Sequence, residues 1–159
     1  MRPLFTACFV LAAALSLTPL LVSQAPPADP WPASAILEPA AFAKTLASPA
    51  KPPLILSTAF PILYNSRHLP HAIFAGPGSS AEGIEALKKA VQNLSKDTEI
   101  VIYCGCCPMD RCPNIRPAFK TLHDLGFTKV RVLSIPTNMA TDWFGKGYPS
   151  EEGIAGGAK

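Results

Sequence analysis

The most regular feature of the chain is a helical rhythm that begins just after residue 80. Ile84, Leu87, Val91 and Leu94 recur at three- and four-residue spacing, which places them on one side of a helix over 81–94. Ser79 and Glu82 precede that rhythm at the spacing of a capping box. A different pattern follows in "TEIVIY", 98–103, whose last four residues are continuously apolar. That is how a strand reads when a parallel sheet buries both of its faces. "PPLILST" (52–58), "HAIFAG" (71–76) and "KVRVLSI" (129–135) are further short apolar runs bounded by turn residues, and are read as strands. "PAAFAKTLA", 39–47, has Pro at the first helical position and Phe42 and Leu46 four apart, which predicts a short helix. Asn114 is placed to cap another, with Pro117 in its first turn, Phe119, Leu122 and Leu125 on one face, and Gly126 as its stop. Strand and helix alternate, so the expected fold class is α/β, with helices over a mostly parallel central sheet.

In such a sheet, ligands bind beyond the carboxyl ends of the strands. The strand at 98–103 ends at the chain's most unusual segment, "CGCCPMDRC", where Cys104, Cys106, Cys107 and Cys112 gather four of the five cysteines into nine residues. Three chemistries fit. One thiol can be a nucleophile, its pKa lowered by loop N–H groups and a helix N-terminus. All four can hold a soft metal such as Zn²⁺, Cu⁺ or an iron–sulfur cluster, although Cys104-x-Cys106 and Cys107-x4-Cys112 lack the C-x2-C pairs of zinc ribbons. Cys107 and Cys112 can form a disulfide or act as resolving thiols for an attacking Cys104 or Cys106, whereas adjacent Cys106 and Cys107 make a strained pair. Arg111 and Arg116 are candidates to hold an anionic donor by bidentate contact. Asp110 would raise the pKa of a nearby thiolate and oppose its activation. The absence of Cys-x-x-Cys-His argues against covalent haem, and none of these readings but the metal one requires a cofactor.

The N-terminus sets the compartment. Arg2 precedes an apolar run from Leu4 to Leu21, and Ser23-Gln24-Ala25 supplies small residues at a cut site. This order predicts a signal peptide over 1–25 and an exported chain, periplasmic or secreted, in surroundings where disulfides persist. A retained anchor is the alternative, since the run approaches the length that spans a bilayer. Cleavage would remove Cys8 and leave no stable membrane span. An extended lead is expected over 26–33, a single domain over 34–150, and a flexible tail over 151–159. The net charge of +3 falls by one with Arg2, and no polybasic run suggests nucleic acid.

Several segments, in order, resemble the rhodanese-like domain. They are "IVIYC" 100–104, Arg111 in the following loop, "LGF" 125–127, and "VRVL" 130–133. "HLPHA" 68–72 is similar to that family's His-Ile-Pro-Gly-Ala, and Trp143 is followed by "GYP" 147–149. The resemblance covers about 34–150 and implies a three-layer domain with helices on both faces of the sheet. It implies sulfur transfer through a persulfide on a loop cysteine, from a small donor such as thiosulfate or a persulfide to a thiol acceptor. It places the nucleophile at Cys104 by position at the strand end, with Cys106 close behind because Arg111 stands at the family's five-residue spacing from it. His68 is implied to be a turn or core residue. His71 and His123 read as surface residues and Trp143 as packing. Ser57-Thr58-Ala59 replaces the family's Asp-Val-Arg, and Pro136-Thr137-Asn138 replaces its Gly-Gly, so ordinary thiosulfate activity is not implied as firmly as the fold.

Overall fold

The computed structural model describes residues 28–48 and 50–153. The expected signal peptide and the last six residues of the expected tail lie outside that span. Five parallel strands form the central sheet: β1 (Ile36–Leu37), β2 (Leu54–Ser57), β4 (Ile73–Phe74), β5 (Ile100–Tyr103) and β6 (Val130–Leu133), in the order β1-β6-β5-β2-β4. β5 lies in the middle, with Ile102 opposite Leu56 on one side and Val132 on the other. All four of its residues are buried, as the continuous apolar pattern requires.

Successive side chains of these strands point to opposite faces, and each face builds its own core. Leu56, Ile100, Ile102 and Val132 pack with Leu87, Val91, Phe119 and Leu122 from α3 (Ala81–Val91) and α4 (Ile115–Asp124). Ile55, Val101, Tyr103 and Leu133 pack with Phe42 of α1 (Pro39–Leu46), Tyr64 of α2 (Pro61–Ser66), and Trp143, which follows α5 (Met139–Asp142). The expected three layers are therefore present. Trp143 is fully buried and its Nε1–H donates to the Pro149 carbonyl at 2.8 Å. No helix among the described residues is long and apolar enough to cross a membrane.

Local signals were displaced in several places. The residue that caps α3 is Ser80 rather than Ser79: its Oγ accepts the Gly83 N–H at 3.0 Å. The helix ends at Val91, while Leu94 still packs against the core. The 71–76 run yields only the two residues of β4. A small antiparallel sheet had no counterpart in the pattern; it pairs β3 (Arg67–His68) with β7 (Glu151–Glu152), so a strand opens the segment expected to be a flexible tail. His68 is fully buried, stacked on the Tyr64 ring, with Nδ1 at 2.9 Å from the Tyr64 carbonyl. His71 is exposed and takes φ 59, the left-handed conformation that glycine adopts most easily, at the position where the family motif has Gly.

The lead is also more than a lead. Trp31 is buried at 8% exposure and meets Phe119 edge-to-face at 5.5 Å between centroids. Asp29 pairs with Arg116 at 2.6 Å. These contacts strap residues before the expected domain boundary onto α4. Truncating a buried tryptophan removes both transfer energy and packing. Trp31→Ala is expected to lower the unfolding free energy by about 3 kcal/mol, measured by urea denaturation; an unchanged midpoint would show the strap to be dispensable.

Candidate functional site

The site begins where β5 ends. Thr58 grips the carbonyl of Tyr103 twice, through its N–H at 2.8 Å and its Oγ1–H at 3.1 Å. On the other side, the Met139 N–H donates to the Gly105 carbonyl at 3.1 Å. Gly105 has φ 67, and a Cβ there would stand 2.3 Å from Met139 Cγ, so no other residue fits without moving that neighbour. The turn held between these grips brings the loop back over its own strand. Two of the segments that depart from the family pattern, 57–59 and 136–138, thus lead into residues that clamp the cysteine loop.

Three sulfurs meet under that turn. The Sγ atoms of Cys104, Cys106 and Cys112 lie within 4.8 Å of one another, with Cys106 at 3.3 Å from Cys104 and 3.9 Å from Cys112. Cys107 stands 3.0 Å from Cys106 but outside this triad. All four are free thiols; Cys104 and Cys112 are buried, while Cys106 and Cys107 are partly exposed.

Asn114, expected to cap α4, makes no capping bond with its side chain. It is fully buried and joins the site instead. Its Oδ1 accepts the Ser79 N–H at 3.1 Å, which fixes the amide orientation and turns Nδ2 toward Cys104 Sγ at 3.4 Å. Gly78 lets the neighbouring chain come this near, since a Cβ there would stand 2.1 Å from the Asn114 carbonyl oxygen. Nothing in the local sequence separates an asparagine that caps a helix from one that serves a cluster ten residues away.

The two buried thiols have opposite electrostatics. Cys112 is held low, at about 5, because the Cys104 thiol donates to it and the Asn114 and Ile115 amides at the start of α4 point at its sulfur, against the cost of burial. Cys104 is pushed well above the ordinary thiol range, first by that same donation to Cys112 and then by burial. Of the two, Cys112 is the sulfur whose ionised form the surroundings favour. Burial and the Cys106 thiol push Cys107 up to about 12. By its strand-end position the resemblance places the nucleophile at Cys104; the lowered pKa falls on Cys112.

The two arginines lie in different surroundings. Arg116 donates to the carbonyls of Met109 at 3.2 Å and Cys112 at 3.4 Å while paired with Asp29, so its guanidinium supports the loop and is not offered to a donor. Arg111 is 79% exposed, beside Asp110 at 3.8 Å. It lines an open groove with Pro136 and Thr137 that contains none of the cysteines. Asp110 is likewise exposed and turned to Arg111.

A separate cleft of about 450 Å³ opens onto Cys104, Gly105 and Cys106, with Leu63, Tyr64, Met139 and Phe144 among its walls. Its one cationic wall residue is Arg67, which the sequence did not single out; it stacks over Phe144 at 4.8 Å and donates to Ser150 Oγ at 2.9 Å. The sequence carries no signal for Arg67, because the cleft is formed by chain segments far apart.

The low pKa of Cys112 has a measurable consequence. It lies below the unfolded thiol value, so its contribution to stability is complete above that ordinary value and is lost as the pH falls through about 5. The raised Cys104 acts in reverse: its contribution is complete below the ordinary thiol value and is lost progressively as the pH rises above it. The ultraviolet thiolate band of the reduced protein is expected to appear with a midpoint near pH 5, and to lose that phase in Cys112→Ser. A single titration in the ordinary thiol range would contradict the assignment.

No family model matches the chain, and no curated protein matches its sequence. Solved structures do. The rhodanese-like domain of an Anabaena protein superimposes with a TM-score of 0.57 at 21% identity, over 79% of this chain and 87% of that one. A single-domain sulfurtransferase from Saccharomyces cerevisiae gives 0.53 at 18% identity, over 80% and 95%. A thiosulfate sulfurtransferase from Pseudomonas aeruginosa gives 0.55 at 24% identity, over 76% of this chain but only 20% of that longer one. The fold of this chain is therefore the rhodanese-like fold.

Proposed function

We propose that the chain transfers sulfane sulfur, with Cys106 as the carrier. The observation that carries this reading is the place of Cys106. It is the partly exposed thiol that opens onto the cleft and also lies 3.9 Å from the Cys112 sulfur. The neighbouring sulfurtransferases from yeast and Pseudomonas support the reaction class, and the cysteine triad supplies its parts.

In the first half-reaction, Cys106 gives up its proton to solvent at the cleft mouth, with the Asn114 Nδ2 donor near its sulfur. The Cys106 thiolate attacks the sulfane sulfur of the donor. A new S–S bond forms, the bond to the donor's leaving group breaks, and that group departs with the electron pair. Cys106 now carries a persulfide, whose negative charge lies near the Asn114 Nδ2 donor, 3.8 Å from the Cys106 sulfur. In the second half-reaction, a thiolate acceptor attacks the outer sulfur and Cys106 leaves as a thiolate, which regains its proton from solvent. No cofactor enters either step. Cys112, 3.9 Å from Cys106, positions the carrier sulfur by sulfur–sulfur contact.

The cleft wall suggests the donor. It is largely apolar and presents a single guanidinium, Arg67, a poor match for an inorganic dianion such as thiosulfate. A small organic persulfide bearing one anionic group fits better, with its apolar part against Leu63 and Phe144. The apolar run from Leu4 to Leu21 supports export, so the proposed place of work is the periplasm or the exterior.

Steady-state transfer from glutathione persulfide to a thiol acceptor tests the assignment. Cys106→Ala is expected to abolish turnover. Cys112→Ser is expected to lower kcat/KM by about tenfold, the worth of one hydrogen bond to a charged group. Arg111→Ala, outside the cleft, is expected to stay within about twofold, the scale of a surface change. Full turnover in Cys106→Ala would sink the proposal.

A further inference from the structure

The same sulfurs have a second capacity that does not depend on sulfur transfer. We propose that Cys104, Cys106 and Cys112 form a three-coordinate thiolate site for monovalent copper, with Cys107 outside it. Three thiolates bound in a plane to one soft ion at about 2.3 Å stand about 4 Å apart. The separations of 3.3 and 3.9 Å and the 4.8 Å limit on all three bracket that spacing, so ligation requires the Cys104 and Cys106 sulfurs to part by about 0.7 Å, within reach of side-chain rotation.

The choice of ion follows from what the site lacks. Among the described residues, no imidazole or carboxylate joins the group of three. The Oδ1 of Asn114 is taken by the Ser79 N–H, and the atom that Asn114 turns to the sulfurs is a donor. A void of about 10 Å³ adjoins Cys104, Cys107 and Cys112, walled by Met109, Ile115, Leu133 and Ile135. That is at the lower limit for one water, too little for an ion together with a water ligand. Zn²⁺ requires a fourth ligand or an open water position; the one further thiol, Cys107, touches Cys106 at 3.0 Å but lies outside the group whose sulfurs are mutually within 4.8 Å. Cu⁺ accepts a low-coordinate, all-sulfur site in which thiolate and thioether are preferred donors. The two methionines of the described chain both lie at the loop: Met109 at the void, and Met139 against Gly105.

The surroundings also suit the charge. Three thiolates and one Cu⁺ leave a net charge of −2, reached by release of the remaining thiol protons. The Asn114 Nδ2–H and the Asn114 and Ile115 amides face the sulfurs, and the Arg116 guanidinium is held at the Met109 and Cys112 carbonyls. Because Cys106 is a member of the triad, a bound ion and a sulfane sulfur exclude one another.

The test is an anaerobic titration of the reduced exported chain with Cu⁺, in competition with the chromogenic chelator bicinchoninate, repeated with Zn²⁺ and a zinc indicator. One Cu⁺ per chain is expected, in preference to Zn²⁺, with a three-sulfur shell by X-ray absorption. Cys107→Ala is expected to bind as the wild type does. Cys106→Ser and Cys112→Ser are expected to weaken binding by at least about 100-fold, with circular dichroism spectra that match the wild type. The partly exposed Cys106 makes its variant informative even where a buried substitution disturbs the fold. Failure to withdraw copper from the chelator, tighter binding of zinc, or a loss in Cys107→Ala as large as in Cys106→Ser would overturn the site. Because the readout is bound metal, that failure is separate from any failure of sulfur transfer.

Discussion

The site depends on a negative charge kept inside the protein. Cys112 carries it because the Cys104 thiol donates to its sulfur and the Asn114 and Ile115 amides at the start of α4 point there as well. Moving an isolated thiolate out of water is unfavourable, and only donors already aimed at it make the ionised form the stable one. Here the donors are fixed before any substrate arrives. The Asn114 side chain is oriented by the Ser79 N–H, and the turn at Gly105 is closed by Thr58 and Met139. The rest of the chemistry follows from where that charge sits. Cys106 lies close to it and opens onto the cleft.

The scaffold explains why these donors stay in place. β5 is flanked on both sides by parallel strands, and its four residues are buried, so the loop departs from the most constrained part of the sheet. α4 is anchored by Phe119 and Leu122 in one core, and its first turn is strapped from outside by Asp29, Arg116 and Trp31. Arg116 links the two, since the guanidinium that holds Asp29 also bonds the Met109 and Cys112 carbonyls. The N-terminal lead is in this way a part of the wall behind the cysteine loop.

Much of the fold was legible because its main elements have unambiguous periods. The four-residue apolar run of β5 and the 3.6-residue rhythm of α3 each allow one element type, and their alternation leaves few topologies. The elements that escaped are short. β1, β3 and β7 have two residues each, too few to show a period, and they exist because tertiary pairing supplies what local preference does not. The four cysteines marked the functional loop, yet their roles could not be read from spacing. Spacing says that Arg111 stands five residues from Cys106, whereas the 3₁₀ turn at Met109–Arg111 sends that side chain outward. Asn114 and Arg67 were missed for the complementary reason: each gains its role from a partner distant in sequence, Cys104 for one and the cleft wall with Phe144 for the other.

The central claim is that sulfur is carried on Cys106 next to a resident thiolate on Cys112. Its most direct test is mass spectrometry of the reduced chain after brief exposure to glutathione persulfide, with the labile sulfur trapped by alkylation before digestion. The account predicts one added sulfur per chain, attached to Cys106, and its loss when a thiol acceptor is added. A sulfur attached instead to Cys104 or Cys107, or none at all, would contradict it.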